Sequence, residues 1–296
     1  MRKLCAILFL LPFLCFSQQP EKVKNDSLWQ KGGMFNPNFS QVSLTNWAGG
    51  GQSSIAINGL VNLFANYGKD KISWNNELTL GFGLQKQGED EFRKSDDKID
   101  LASQISKQIN KRFSYAGFLG FKSQFTPGYN YPSDTVIISD FLSPAYVLLS
   151  VGVTYKRKKW FEFYLSPVTG KLTVVNNTAL SDAGAFGVTP GHKLRAEFGG
   201  LGRLQIQKDI FENTRLTTKI EAFSNYEENP DHIDVNWEML IAMKVNKFLT
   251  ASISTTLVYD HDVNIAIDEN NDGITDSMGP RVQFKEVLAI GLSFKL

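Results

Sequence analysis

Residues 268–276 read Asp-Glu-Asn-Asn-Asp-Gly-Ile-Thr-Asp. Asp268, Asn270 and Asp272 fall at positions 1, 3 and 5 of a calcium loop, Gly273 at the sharp turn of position 6, and Asp276 at position 9. Position 12 is Gly279, so the bidentate glutamate of an EF-hand is missing. The core is closer to short extracellular calcium loops, and any affinity would be of the weak order of roughly 10⁻⁴–10⁻³ M. The alternative is an Asn/Asp/Gly-rich loop tip with ordinary turn chemistry. No other cofactor is expected.

The three histidines, His192, His232 and His261, offer little for catalysis. A lipid-facing His with a Ser two residues on is one way a membrane barrel can hydrolyse lipid. Here Leu194, Asp234 and Val263 occupy those places. His261 stands between Asp260 and Asp262, which suits orientation of an imidazole, but no glycine-flanked serine elbow accompanies it. Surface histidines are the expectation, and the chain is read as not an enzyme.

The elements that carry these residues alternate. In 72–84, Ile72, Trp74, Leu78, Leu80, Phe82 and Leu84 fall on one side, with Asn76 the exception, while Ser73, Asn75, Glu77, Thr79, Gly81 and Gly83 fall on the other. A strand sends successive side chains to opposite faces, so the segment has one apolar and one wet face. The pattern recurs about a dozen times and predicts a single all-β transmembrane barrel of about 12 antiparallel strands. The expected spans are 34–46, 52–66, 72–86, 97–109, 112–126, 141–156, 160–175, 191–208, 213–226, 232–246, 247–260 and 280–296. Alternate connections are short, as at 68–71, 110–111, 156–159, 209–213 and 246–247. The others are mostly long: 87–96, 127–140, 176–190, 227–231 and 261–279. Short periplasmic turns and longer extracellular loops are the barrel arrangement.

Three domains are expected. Residues 1–17 read as a cleaved signal peptide, with Arg2 and Lys3 before the apolar run Leu4 to Phe16. Residues 18–30 form a short periplasmic leader, and 31–296 the outer-membrane β-barrel. Both cysteines, Cys5 and Cys15, lie in the signal, which excludes disulfide and thiolate chemistry from the mature chain. Removing Arg2 and Lys3 leaves 29 basic against 30 acidic residues, a net charge of −1, and nothing suggests nucleic acid. Past the signal no apolar run is long enough for a helical span. The mean hydropathy of −0.19 fits a barrel, because half of each strand is polar.

By parity the interior holds the bases Lys122, Arg195, Arg203, Arg215, Lys219, Lys244 and Lys285. The acids are Glu77, Asp100, Glu162, Glu197, Glu221, Asp234 and Glu238. Such balance suits salt bridges across a lumen better than a ring of one sign. Lys107 and Glu286 face lipid by parity; Lys107 is close enough to the inner end to snorkel, and a bulge is able to turn Glu286 inward. The expected partners are outer-membrane lipid and lipopolysaccharide, the latter met by outer loops carrying Tyr129 and Tyr131. The last strand, ending Gly291-Leu292-Ser293-Phe294-Lys295-Leu296, is similar to the signal read by the outer-membrane assembly machinery, apart from Leu296 where an aromatic is usual.

Several stretches carry a family likeness: 33–51 (GMFNPNFSQVSLTNWAGGG), 84–100, 127–132 (PGYNYP), 182–187 (DAGAFG), 225–237 and 279–291 (GPRVQFKEVLAIG). In these the chain resembles a Bacteroidota outer-membrane barrel family catalogued as a domain of unknown function (DUF 3078). The resemblance implies an outer-membrane barrel in a Gram-negative envelope. It implies no reaction, ligand or functional residue. The function left is a non-enzymatic barrel that passes or binds small solutes or supports the envelope. The alternatives are a surface enzyme acting on lipid or glycan, and a calcium-dependent surface adhesin.

Overall fold

Twelve strands, each hydrogen-bonded to its sequence neighbours, form the wall of a computed structural model that describes residues 28–44, 51–131, 135–267, 269 and 276–296. They are β1 (Trp29–Val42), β2 (Ser54–Lys69), β3 (Ile72–Gln87), β4 (Arg93–Gln108), β5 (Phe113–Ser123), β6 (Ala145–Arg157), β7 (Phe161–Val174), β8 (Leu194–Phe211), β9 (Thr214–Asn225), β10 (Ile233–Lys244), β11 (Leu249–Tyr259) and β12 (Gln283–Leu292). Every pairing is antiparallel, and β12, with its continuation Phe294–Lys295, pairs with β1 and closes the barrel. Closure satisfies backbone groups without an edge, which lipid demands. The outward face is apolar. Leu149, Val151, Leu165, Leu288 and Ile290 each expose more than half of their surface.

Each expected strand is present, with ends moved by a few residues. The first begins five residues earlier than 34. The loop expected at 87–96 shrinks to 88–92, because β4 continues as a polar strand through Arg93 and Lys94. The expected signal peptide lies outside the described residues.

The short turns share a local chemistry. Asp70, Lys158 and Asn213 have φ of 53°, 57° and 60°, the left-handed conformation that tight hairpins require. Asn110 and Asn246 instead accept two backbone N–H bonds each, from Arg112 and Phe113 and from Phe248 and Leu249. The opposite end carries the long loops. There α1 (Thr178–Asp182) and the loop around it bury Val175, Leu180 and Val188 in a small core of their own.

Two bulges change which residues face inward. Ser95 is an extra residue in β4, opposite the Gly83–Leu84 step. In β7, Leu165 and Val168 pair with Val153 and Val151, so one extra residue enters around Pro167. Proline has no N–H for a ladder and is confined to such places. Ser166 fills the gap: its hydroxyl lies 2.8 Å from the Val151 and Val168 carbonyls and accepts from the Val168 N–H. Gly152 faces this bulge, where a Cβ would collide with the Leu165 carbonyl oxygen.

β12 has no register break against β11 from Gln283 to Leu292. Glu286 therefore shares the outward face of Phe284 and Leu288 and stands opposite Thr255. The inward turn that a bulge would give it does not occur. Lys107 lies beside Tyr115 and Ile72, exposed near the short-turn end.

Candidate functional site

The lumen is crossed by ion pairs. β4 and β10 lie six strands apart, on opposite walls, and Lys98 spans them, 2.6 Å from Glu238 and 3.5 Å from Asp100. β3 and β9 are likewise opposite. Lys219 donates to both Glu77 oxygens at 2.8 Å. Lys285 reaches Asp96 at 2.6 Å. Glu221 takes Lys122 from β5 and Arg203 from β8, the latter at 2.8 Å. Arg203 and Glu221 are neighbours on adjacent strands, but Lys98–Glu238, Lys219–Glu77, Lys285–Asp96 and Lys122–Glu221 join strands distant in sequence, so together they brace the barrel from inside.

An apolar layer sits among these struts. Ala116, Phe118, Tyr164, Leu201 and Phe223 face inward and are buried against Ala102 and Leu148. The Arg203 guanidinium lies 3.7 Å from the centre of the Phe118 ring, a cation–π contact. The Tyr164 hydroxyl is 2.9 Å from Ser150 Oγ. This layer departs from a purely polar interior. Twelve strands enclose too wide a bore for ion pairs alone to fill, and the rings take up the rest.

Toward the long loops the lumen is acidic. Lys171 lies 2.6 Å from Asp234, 3.5 Å from Glu197 and 3.6 Å from Asp260. Arg195 contacts Asp262 at 2.7 Å, with Glu197 and Glu228 farther off. The rings of His232 and His261 stack with centroids 3.6 Å apart, and His261 Nδ1 is 3.1 Å from the Tyr259 hydroxyl. His192 lies apart, exposed in the loop before β8.

Toward the short turns the lumen opens into a cavity of about 750 Å³. Asn62, Asn66 and Asn75 line one wall, Gln205, Gln207 and Thr217 the other, with Lys158, Lys159 and Trp160 at the rim. A second, separate void of about 10 Å³ lies among Glu162, Tyr164, Arg203 and Glu221. That is room for one water at most.

Most of the inward charges read from parity are in these networks. Arg215 is not: it pairs with Asp209 at a turn, both more than half exposed. Lys244 is exposed at the end of β10. Six network members lie outside the parity list: Asp260, Asp262 and Glu228, which stand beyond the strand ends, and Lys171, Asp96 and Lys98. Lys171 has the wrong parity for an unbroken strand, and only the bulge at Pro167 turns it inward. Asp96 falls in a stretch expected to be a loop. Lys98 shares the parity of Asp100 and was legible from it. Of the calcium residues, Asp268, Asn270 and Asp272 lie outside the described residues. Asp276 is exposed; its N–H donates to the Ile267 carbonyl, and its Oδ2 accepts from Glu269 N–H at 2.8 Å. Among the described residues, no cluster of three or more His, Cys, Asp or Glu side chains is arranged to hold a metal ion.

Residues 39–129 match a family described as protein of unknown function (DUF3078). No curated protein matches the chain. Among solved structures, the chain is similar to an outer membrane channel from Pseudomonas putida F1, at 11% identity over 94% of this chain and 100% of that one, TM-score 0.39. It is similar to the translocator domain of the autotransporter NalP from Neisseria meningitidis, at 9% identity over 92% and 90% of the two chains, TM-score 0.34. It is also similar to the outer membrane protease OmpT from Escherichia coli, at 10% identity over 90% and 95%, TM-score 0.22.

Proposed function

We propose that this barrel resides in an outer membrane, exported by residues 1–17, and passes small polar solutes through a lumen held narrow by movable ion-pair struts. It acts without catalysing a reaction. The observation that carries the reading is the crossing of the lumen by Lys98–Glu238 and Lys219–Glu77, between opposite walls. Their side chains keep about a quarter to two-fifths of their surface exposed. Pairs so hydrated contribute little each and are screened by salt, so they can part and re-form. A barrel needed only for mechanical support gains nothing from a cavity that reaches to mid-lumen from one end.

Liposome swelling tests this. Vesicles containing the folded protein should admit solutes of amino-acid size slowly and exclude disaccharides. Swelling no faster than in protein-free vesicles, at low and high salt alike, would remove the passage from the account.

A further inference from the structure

The cavity at the short-turn end is more than a vestibule. Asn66 and Asn75 face each other across the β2–β3 ladder, and Gln205 and Gln207 project from β8 on the facing wall. Among the described residues none of these four side-chain amides has a hydrogen-bond partner, whereas nearby Asn62 accepts from Thr79 Oγ1 and Gln104 donates to Glu162 at 2.6 Å. Free amides on opposite walls offer donor and acceptor together at a fixed spacing, which suits neighbouring hydroxyls. Phe64 also lines the cavity, and Trp160 stands at its rim, its ring beside Phe161 and Lys208. The lining is also electropositive. Lys156, Lys158, Lys159, Arg203 and Lys219 stand against Glu77 and Glu162, a surplus of three positive charges. Lys158 and Lys159 have no carboxylate partner among the described residues.

We infer that this cavity is a binding site for an acidic saccharide, a sugar of one or two rings carrying a carboxylate, entering from the short-turn end. The free amides take the ring hydroxyls, Phe64 and Trp160 flank the ring's apolar face, and Lys158 and Lys159 take the carboxylate at the rim. The volume lies in the range of small-molecule sites, roughly 300–1,000 Å³. The inference rests on a solute-accessible lumen but not on passage through it.

The experiment is calorimetry on the full folded chain in detergent micelles with three probes: glucuronate, glucose and acetate. Glucuronate should bind with a low-millimolar Kd and the other two at least ~10-fold more weakly, since each lacks one set of contacts. The double variants Gln205→Ala with Gln207→Ala, and Lys158→Ala with Lys159→Ala, should each weaken glucuronate ~10-fold. Retained heat-modifiable gel mobility shows that they fold, and the parent's ranking of probes stands without them. No heat with glucuronate overturns the inference. So does equal binding of acetate, which reduces the site to an anion cleft, equal binding of glucose, which removes the charge, or unchanged binding in both double variants. Glucuronate binding by a protein that fails to swell liposomes would sink the passage and leave the site.

Discussion

Glu221 holds two cations at once, Lys122 and Arg203, with only 15% of its side chain exposed. Glu77 holds one, Lys219, and is 40% exposed. Removing one partner of a buried network leaves uncompensated charge, while an exposed pair is already served by water. Glu221→Gln should therefore destabilise the folded barrel by about 3 kcal/mol and Glu77→Gln by less than about 1 kcal/mol. Urea titration followed by tryptophan fluorescence in micelles measures both. Equal midpoint shifts would mean the mid-lumen network is no drier than the cavity wall. The 268–276 segment gives a second expectation at this scale. Asp276 caps the Glu269 N–H beside the short ladder of Ile267 with Ser277, which holds the ends of the segment together. The folded protein should take up millimolar Ca²⁺ with a heat that the Asp268→Ala, Asp272→Ala variant lacks. Identical heats would make the segment a polar turn.

Among the strands, the seam between β12 and β1 differs from every other. It pairs from Gly33 with Leu296 to Asn38 with Gly291 and no further, while β11 matches β12 through ten pairs, from Leu249 to Val258. Pro37 sits next to the last pair of the seam, a residue with no N–H to give. Two outcomes follow. Amides of 283–290 should exchange with deuterium earlier than those of β11, whose two sides are both paired. Protection equal to that of β11 would show the seam zipped over its whole length. Deleting Phe294 to Leu296 should prevent folded protein from reaching the membrane, because it removes the Leu296–Gly33 bonds and the stacking of Phe294 on Phe35 that close the inner half. Near-normal amounts of heat-modifiable truncated barrel would contradict this. The strands themselves were legible because alternation survives wherever one face meets lipid. What alternation does not carry is its own interruption. Ser166-Pro167 marks a bulge to anyone asking what a proline does in a central strand, yet the parity beyond it, and with it the place of Lys171, depends on which residue is extra. Phe118 and Leu201 were hidden for a different reason. An apolar residue on the wet face reads as an irregularity until the opposite wall is known.

At the scale of the whole molecule the lumen is graded along its axis: acidic under the long loops, blocked by rings and ion pairs at mid-height, open and basic at the short turns. Opposite ends of opposite sign leave no single field to select ions, so any current should be small and weakly selective. The central claim is that ion pairs hold the lumen closed. Single-channel recording in a planar bilayer tests it most directly, comparing the parent with a Lys98→Met, Glu238→Gln variant that removes one cross-lumen strut and leaves the net charge unchanged. The account predicts rare, small openings in the parent and more frequent or larger ones in the variant. A parent that conducts as widely as an open porin, or a variant indistinguishable from it, would contradict the claim.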